Sequence, residues 1–329
     1  MANVSDSVWD PLLRSLALPH AATFYPHGFA LRVSSNLPEV IDAARESFGH
    51  FEAASDAPPV ELEVLIVGEE ASPIPTAPVC RTRRHLLMMS SGSGNFGTCD
   101  FEAGYAMLVL SPAVLRDPAV LRYFFLEACG LMLVCERHLA AVHAACVGLK
   151  GSGVLLCGAS TAGKSTLAYA CAKRGFTYVS DDGCFLVRSA RDRIISGNCQ
   201  SIRFRPSAVA LFPELAELPA IRRANGKISI EVRARKLGLA HTAARCRVDH
   251  LVFLNRRSSG PSFLEAFPRE AALAWMESSF NYGRDQSLQE QRAAMSRLME
   301  LKPYQLTYSD IHSAVDTLES FLLKGGVVA

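Results

Sequence analysis

The ten cysteines of this sequence include no CxxC pair, and the chain has no block of like charge, no internal repeat and no low-complexity tract. Without paired cysteines at ligand spacing, a zinc ribbon or a disulfide framework is excluded. Several cysteines sit in apolar runs such as "GVLLCG" and "LMLVCER", where a free thiol acts as a small hydrophobe. A reduced, cytoplasmic setting is expected. With 34 basic against 32 acidic residues the net charge is only +2, so no global field steers the chain to nucleic acid or to a membrane. The N-terminal "MANVSDSVWDPLLRSL" lacks the basic start and apolar core of a signal peptide. The longest apolar stretch, "YFFLEACGLMLVCE", carries Glu127 and Glu136 and reads as a buried helix too short to span a bilayer.

What the chain does have is apolar content. Nearly half of its 329 residues (49%) are hydrophobic, enough for one large or two modest cores. In the first third, "GFALRVSSN" and "VELEVLIVG" read as strands. "LPEVIDAARESFGHF" between them reads as a helix with Asn36 as its cap. A Pro-rich loop comes next, then two further strands, "HLLMMSS" and "YAMLVLSP". Between these lies Gly92-Ser93-Gly94-Asn95-Phe96-Gly97, formally G-x-G-x-x-G. A dinucleotide site needs a helix to open directly after such a motif, and "TCDFEAGYAMLVL" favours a strand instead, so a hairpin is expected here. From Asp117 to about Leu139 the pattern is helical, and "AAVHAACVGLKGSGVLLCG" reads as two strands about the turn "LKGSG".

The second of those strands runs into Gly158-Ala159-Ser160-Thr161-Ala162-Gly163-Lys164-Ser165, which satisfies G-x-x-x-x-G-K-[ST] and continues in Thr166 and a helical run to Arg174. Small residues let consecutive backbone N–H groups curl around phosphate oxygens, and the helix start adds partial positive charge. Lys164 is expected to reach the β- and γ-phosphates of ATP, and Ser165 to offer its hydroxyl to Mg²⁺. Sixteen residues after Ser165 the strand "FTYVS" ends in Asp181-Asp182. Of two adjacent carboxylates there, one can serve the metal and the other the proton of an attacking hydroxyl. His143 falls near the phosphate end if its strand pairs with that of the loop, where an imidazole can tune a carboxylate base. Arg203, Arg205 and Lys227 are candidate phosphate or substrate contacts further along.

A His-bearing strand, a Gly-rich loop with Lys-Ser, Arg174-Gly175 at the end of the next helix and a strand closing on Asp-Asp, all within some forty residues, resemble the HPr kinase/phosphorylase family, itself related to phosphoenolpyruvate carboxykinase. The resemblance is strongest over 139–187. It implies an ATP-dependent kinase acting on a serine hydroxyl of a protein or peptide, with Asp181 as general base, Asp182 serving the metal and His143 supporting the base. It also raises the expectation of a homo-oligomer. The bifunctional enzymes usually carry Glu after the loop Ser, where this chain has Thr166, and neither their downstream signature nor their regulatory N-terminal domain is recognisable. In this the chain resembles HPr-kinase-related proteins of bacterial biosynthetic clusters, among them lasso-peptide tailoring kinases that modify a serine of a ribosomal peptide. The expected fold is α/β: a mixed-sheet catalytic core over 139–329, with an N-terminal α/β region over 1–138 packing on it. The closing helix is "DIHSAVDTLESFLLKG". Two other readings stand beside the serine kinase: a non-catalytic module whose ATP binding gates a partner, and a kinase for a small molecule such as free serine or a sugar.

Overall fold

A computed structural model describes residues 17–68, 73–92, 94–223, 226–278 and 285–326. The chain divides into two compact units, 1–130 and 131–329.

The first unit is a seven-stranded sheet. In chain order its strands are β1 (His20–Phe24), β2 (Leu31–Ser35), β3 (Val60–Ile66), β4 (Val79–Arg83), β5 (Leu86–Ser91), β6 (Asn95–Asp100) and β7 (Tyr105–Leu110). Their spatial order is β1-β2-β3-β7-β6-β5-β4. Strands β2, β3 and β7 run parallel, and the helix Pro38–Phe48 makes the crossover between β2 and β3. Asn36 does not cap that helix. Its side-chain amide donates to the Ile66 carbonyl and its oxygen accepts from the Ile66 N–H, which ties the chain to the end of β3. The glycine-rich motif is a hairpin, with β5 leading into β6 antiparallel and no helix after it; Ser93 lies outside the described residues. The helix Pro118–His138 spans 21 residues and is, by length and composition, long and apolar enough to cross a membrane; 56% of its most apolar window is buried in the protein.

The second unit is built on a nine-stranded mixed sheet. Its strands are β8 (Leu139–Val142), β9 (Ala144–Leu149), β10 (Ser152–Cys157), β11 (Thr177–Ser180), β12 (Cys184–Val187), β13 (Ile194–Gly197), β17 (Arg245–Arg256), β18 (Phe263–Ala266) and β19 (Pro303–Tyr308). A separate three-stranded sheet holds β14 (Ser201–Phe204), β15 (Ala220–Arg222) and β16 (Ile228–Arg233). Thus the mixed α/β core read from the sequence is present. At its centre β10, β17 and β19 run parallel, with β9 antiparallel to β10 and β11 antiparallel to β9. The long β17 also pairs at its start with β13, which joins the two halves of the sheet.

Period-2 alternation along β10 explains the two cores. Val154 and Leu156 face one side, with the helices Lys164–Lys173 and Ile311–Leu323 and the small sheet. Leu155 and Cys157 face the other, against the helices Arg269–Glu277 and Asp285–Leu298. Each fully buried leucine contributes about 1.5–3 kcal/mol relative to exposure. The helix after the glycine loop ends in a Schellman motif. Gly175 (φ +102°) donates to Ala172 O while the Phe176 N–H reaches back to Cys171 O. Arg174 then pairs with Asp316 and Glu319 of the C-terminal helix, whose Asp310 side chain caps it at the Ser313 N–H. This gives the Arg-Gly pair a structural cause.

Candidate functional site

Strand directions bring the sequence-predicted residues to one edge. The loop Gly158–Lys164 leaves the carboxyl end of β10, and Asp181-Asp182 leave the carboxyl end of β11, which runs the same way. Ala144 at the start of antiparallel β9 pairs with Cys157, so His143 stands beside Gly158. It occupies a break between β8 and β9, which pair with different partners, rather than the body of one strand. Ligand chemistry at the carboxyl ends of parallel strands is the general expectation for open α/β sheets.

The loop is held in a definite shape. Thr161 has φ +78°, a left-handed conformation that a β-branched residue rarely adopts and that gathers at ligand clamps. Gly163 has φ +98°, and a Cβ there would lie 2.4 Å from the Tyr308 hydroxyl. That hydroxyl, at the end of β19, donates to Ala162 O at 3.0 Å and fastens the loop to the strand beyond β17. After Gly163 the helix opens with Lys164, Ser165 and Thr166, whose N–H groups have no intrahelical acceptors.

Lys164 is 6% exposed. Its ammonium donates to Gly158 O at 2.7 Å and Ala159 O at 3.1 Å, and lies 3.1 Å from His143 Nε2. A charged ammonium has only donors, so Nε2 must accept and the imidazole proton resides on Nδ1. Nδ1 in turn lies 3.2 Å from Asp182 Oδ1. The result is a single polarised row, Lys164 to His143 to Asp182. Burial and the adjacent Lys164 charge push His143 below the usual histidine range, which keeps the ring neutral and fit for this role. Burial also lowers Lys164, against the opposing pull of Asp182.

The two acids differ sharply. Asp182 has a side chain 57% exposed at the loop. Asp181 is 6% exposed, and its Oδ2 accepts the Arg203 N–H at 2.9 Å. Burial raises it to about 6, although the Arg203 hydrogen bond and charge hold it down in part. Of the expected general base Asp181 and the expected metal carboxylate Asp182, the first is thus the buried one and the second the exposed one. β14 passes over Asp181 and takes its carboxylate as a backbone anchor. Among the candidate cations, Arg203 pairs with Glu231 at 3.3 Å across the β14–β16 register. Arg205 reaches Ser160 Oγ of the loop at 3.4 Å, and Lys227 lies near enough to His143 to lower its basicity. The small sheet is brought there by aromatic packing of Tyr169, from the helix after the loop, against Phe204 and Phe212.

Among the described residues no group of three or more His, Cys, Asp or Glu is arranged to hold a metal ion. Ser165 and Asp182 are hard oxygen donors of the kind that suits Mg²⁺, which retains waters and relies on substrate phosphates rather than a full protein cage. The Ser165 hydroxyl meanwhile donates to Asp181 O at 3.3 Å. Sequence reasoning missed Tyr308, Phe185 and Trp275, none of which lies in a motif; only the sheet topology brings them to this edge.

The fold and site thus define an α/β protein with a strand, glycine loop and helix facing a His–Asp pair. Residues 137–205 match the HPr serine kinase C-terminal domain, so this part of the chain is related to HPr kinases. The match covers His143, the loop, the acidic pair, Arg203 and Arg205. Among solved structures the chain is similar to the Hpr(Ser) kinase/phosphatase from Coxiella burnetii, with 16% identity, a TM-score of 0.30, and coverage of 57% of this chain and 99% of that one. No curated protein matches the chain.

Proposed function

We propose that the second unit is an ATP-dependent kinase that phosphorylates a serine hydroxyl of a protein or peptide. The observation that carries this reading is the row Lys164–His143–Asp182 at the mouth of the glycine loop. A module that only binds nucleotide has no use for an exposed carboxylate oriented by a neutral imidazole. The N–H groups at the helix start and the loop hold the phosphates, and Lys164 turns from Gly158 O and Ala159 O to the γ-phosphoryl oxygens. Arg205, already at Ser160, adds positive charge at the loop. Asp182 accepts the serine proton as the serine oxygen bonds to the γ-phosphorus and the bond to ADP breaks. His143 positions that carboxylate and Asp181 holds β14. Ser165 would hold Mg²⁺ together with the phosphate oxygens, and the ion would supply charge neutralisation there.

The test is incubation with ATP and a host lysate, then mass spectrometry for phosphoserine, with Lys164→Ala in parallel. A phosphoserine present with wild type and absent with the variant is expected. Lys164-dependent nucleotide binding with no phosphate moved to any acceptor would replace this reading with a nucleotide-gated binding module.

A further inference from the structure

A cavity of about 440 Å³ opens beside the start of the glycine loop. His143, Gly158 and Ala159 form one wall, and Val142, Phe185 and Trp275 form the rest of the part that matters here. The volume falls within the range of about 300–1,000 Å³ typical of small-ligand pockets and far exceeds what a bare hydroxyl needs.

Its position relative to the phosphates is set by Lys164. The lysine of such a loop marks the β- and γ-phosphates, and here its ammonium lies against Gly158 O, Ala159 O and His143 Nε2. The cavity shares His143, Gly158 and Ala159 with the contacts of Lys164, so it adjoins the place the transferred phosphoryl group would take. Asp182 lies 3.2 Å from His143, which lines the cavity.

The chemistry of the walls narrows the acceptor. Apart from His143, no described lining residue carries a carboxylate, an ammonium or a guanidinium. Free serine would bring an ammonium and a carboxylate into this space with no charged partner, and a sugar would find few side-chain hydrogen-bonding groups beyond Ser278 and His143. The aromatic rings are braced. Trp275 stands edge-on to Phe253 (5.5 Å, 88°), and Phe253 stacks on Phe267 (4.3 Å, 14°). Phe185 is fixed in β12 opposite Ala141. A preformed aromatic recess next to a phosphoryl-transfer point suits a large flat apolar group.

We infer that this cavity takes a large apolar side chain, aromatic by preference, adjacent to the acceptor serine in an unfolded or loop segment of polypeptide. The inference rests on the kinase reading and specifies its substrate class, against the small-molecule acceptors.

The chain has two tryptophans, Trp9 and Trp275. In a Trp9→Phe background, intrinsic fluorescence therefore reports on the cavity without any catalysis. The probes are blocked peptides Ala-Ser-Ala, Phe-Ser-Ala and Ala-Ser-Phe, with free serine as a control. The expected result is a saturable change in Trp275 emission with at least one Phe peptide and none with Ala-Ser-Ala or free serine. In the transfer assay the same peptide should exceed Ala-Ser-Ala by at least about tenfold in kcat/KM. Trp275→Leu, which keeps the site apolar, and Trp275→Ala should erase that preference through KM for the peptide. Equal phosphorylation of all three peptides would overturn the inference and leave the kinase reading intact. So would a loss confined to ATP affinity in the Trp275 variants, which would give the cavity to the nucleoside. If ATP binds and no peptide is phosphorylated, the kinase reading fails, and the fluorescence titration alone decides whether the cavity binds apolar peptides: no response to either Phe peptide overturns the inference.

Discussion

Two glycine-rich segments, Gly92–Gly97 in the first unit and Gly158–Gly163 in the second, look equally able to hold phosphate when read as strings of glycines. They part ways at the element each one leads into. After Gly97 the chain continues as β6, paired with β5 and β7 on either side, so its backbone faces ladders rather than an open end. After Gly163 a helix opens whose first N–H groups are left free, with Lys164 in its first turn. Asn95, inside the first motif, has a buried side chain spent on Ser111, whereas the second loop is held by its own lysine, by Tyr308 and by Arg205 at Ser160. A glycine motif is thus a phosphate site only when the element after it leaves donors unused.

Substitutions at the two segments should separate accordingly. Lys164→Ala should lower ATP-dependent phosphate transfer by about 10²–10³-fold or more, as removal of a preorganised charge at the transferred group does, with the fold intact by circular dichroism. The next effect is on stability and lies at Asp181. Its carboxyl is raised from the ordinary 3.8 to about 6 by burial. Between those values the native state keeps a proton that the unfolded chain has released, so stability falls as pH rises through that window and stays at the lower level above it. Two units correspond to roughly 3 kcal/mol. Asp181→Asn should flatten this slope, read as the difference in urea midpoints between variant and wild type from pH 4 to pH 7. The smallest change belongs to the hairpin. Asn95 Oδ1 accepts from the Ser111 N–H at 2.9 Å and the Ser111 hydroxyl at 3.2 Å, so Asn95→Ala strands a buried donor and should cost about 1–3 kcal/mol by denaturant titration. Phosphate transfer should not change. A loss of nucleotide binding in Asn95→Ala would break the distinction between the two motifs.

Much of the second unit was legible because its signals are local. The glycine loop, its helix, the acidic pair and the closing helix are each set by residues within a turn or two of one another. The first unit was harder. β4 is exposed at every residue and shows no alternation, and β6 carries a glycine in "NFGTCD", a weak strand sequence stabilised only by neighbours on both sides. Asn36 has the composition of a cap, yet β3, arriving thirty residues later, offers it both backbone groups of Ile66. The same kind of long-range partner decides the acids. Nothing in "SDDG" says that β14 will lie over the first carboxylate, or that His143 will pair with the second. Residue types therefore pointed to candidate residues, while strand packing sets which of them lie together.

The central claim is that Asp182, aligned by His143, is the base and that Asp181 is an anchor. The most direct measurement is the single-turnover rate of phosphate transfer from ATP to the acceptor for Asp181→Asn and Asp182→Asn at pH 7.5, with nucleotide affinity recorded for both. The account predicts a loss of about 10²–10⁴-fold for Asp182→Asn and less than about tenfold for Asp181→Asn, with ATP still bound. A folded, ATP-binding Asp181→Asn protein that transfers no phosphate, beside an active Asp182→Asn, would contradict it.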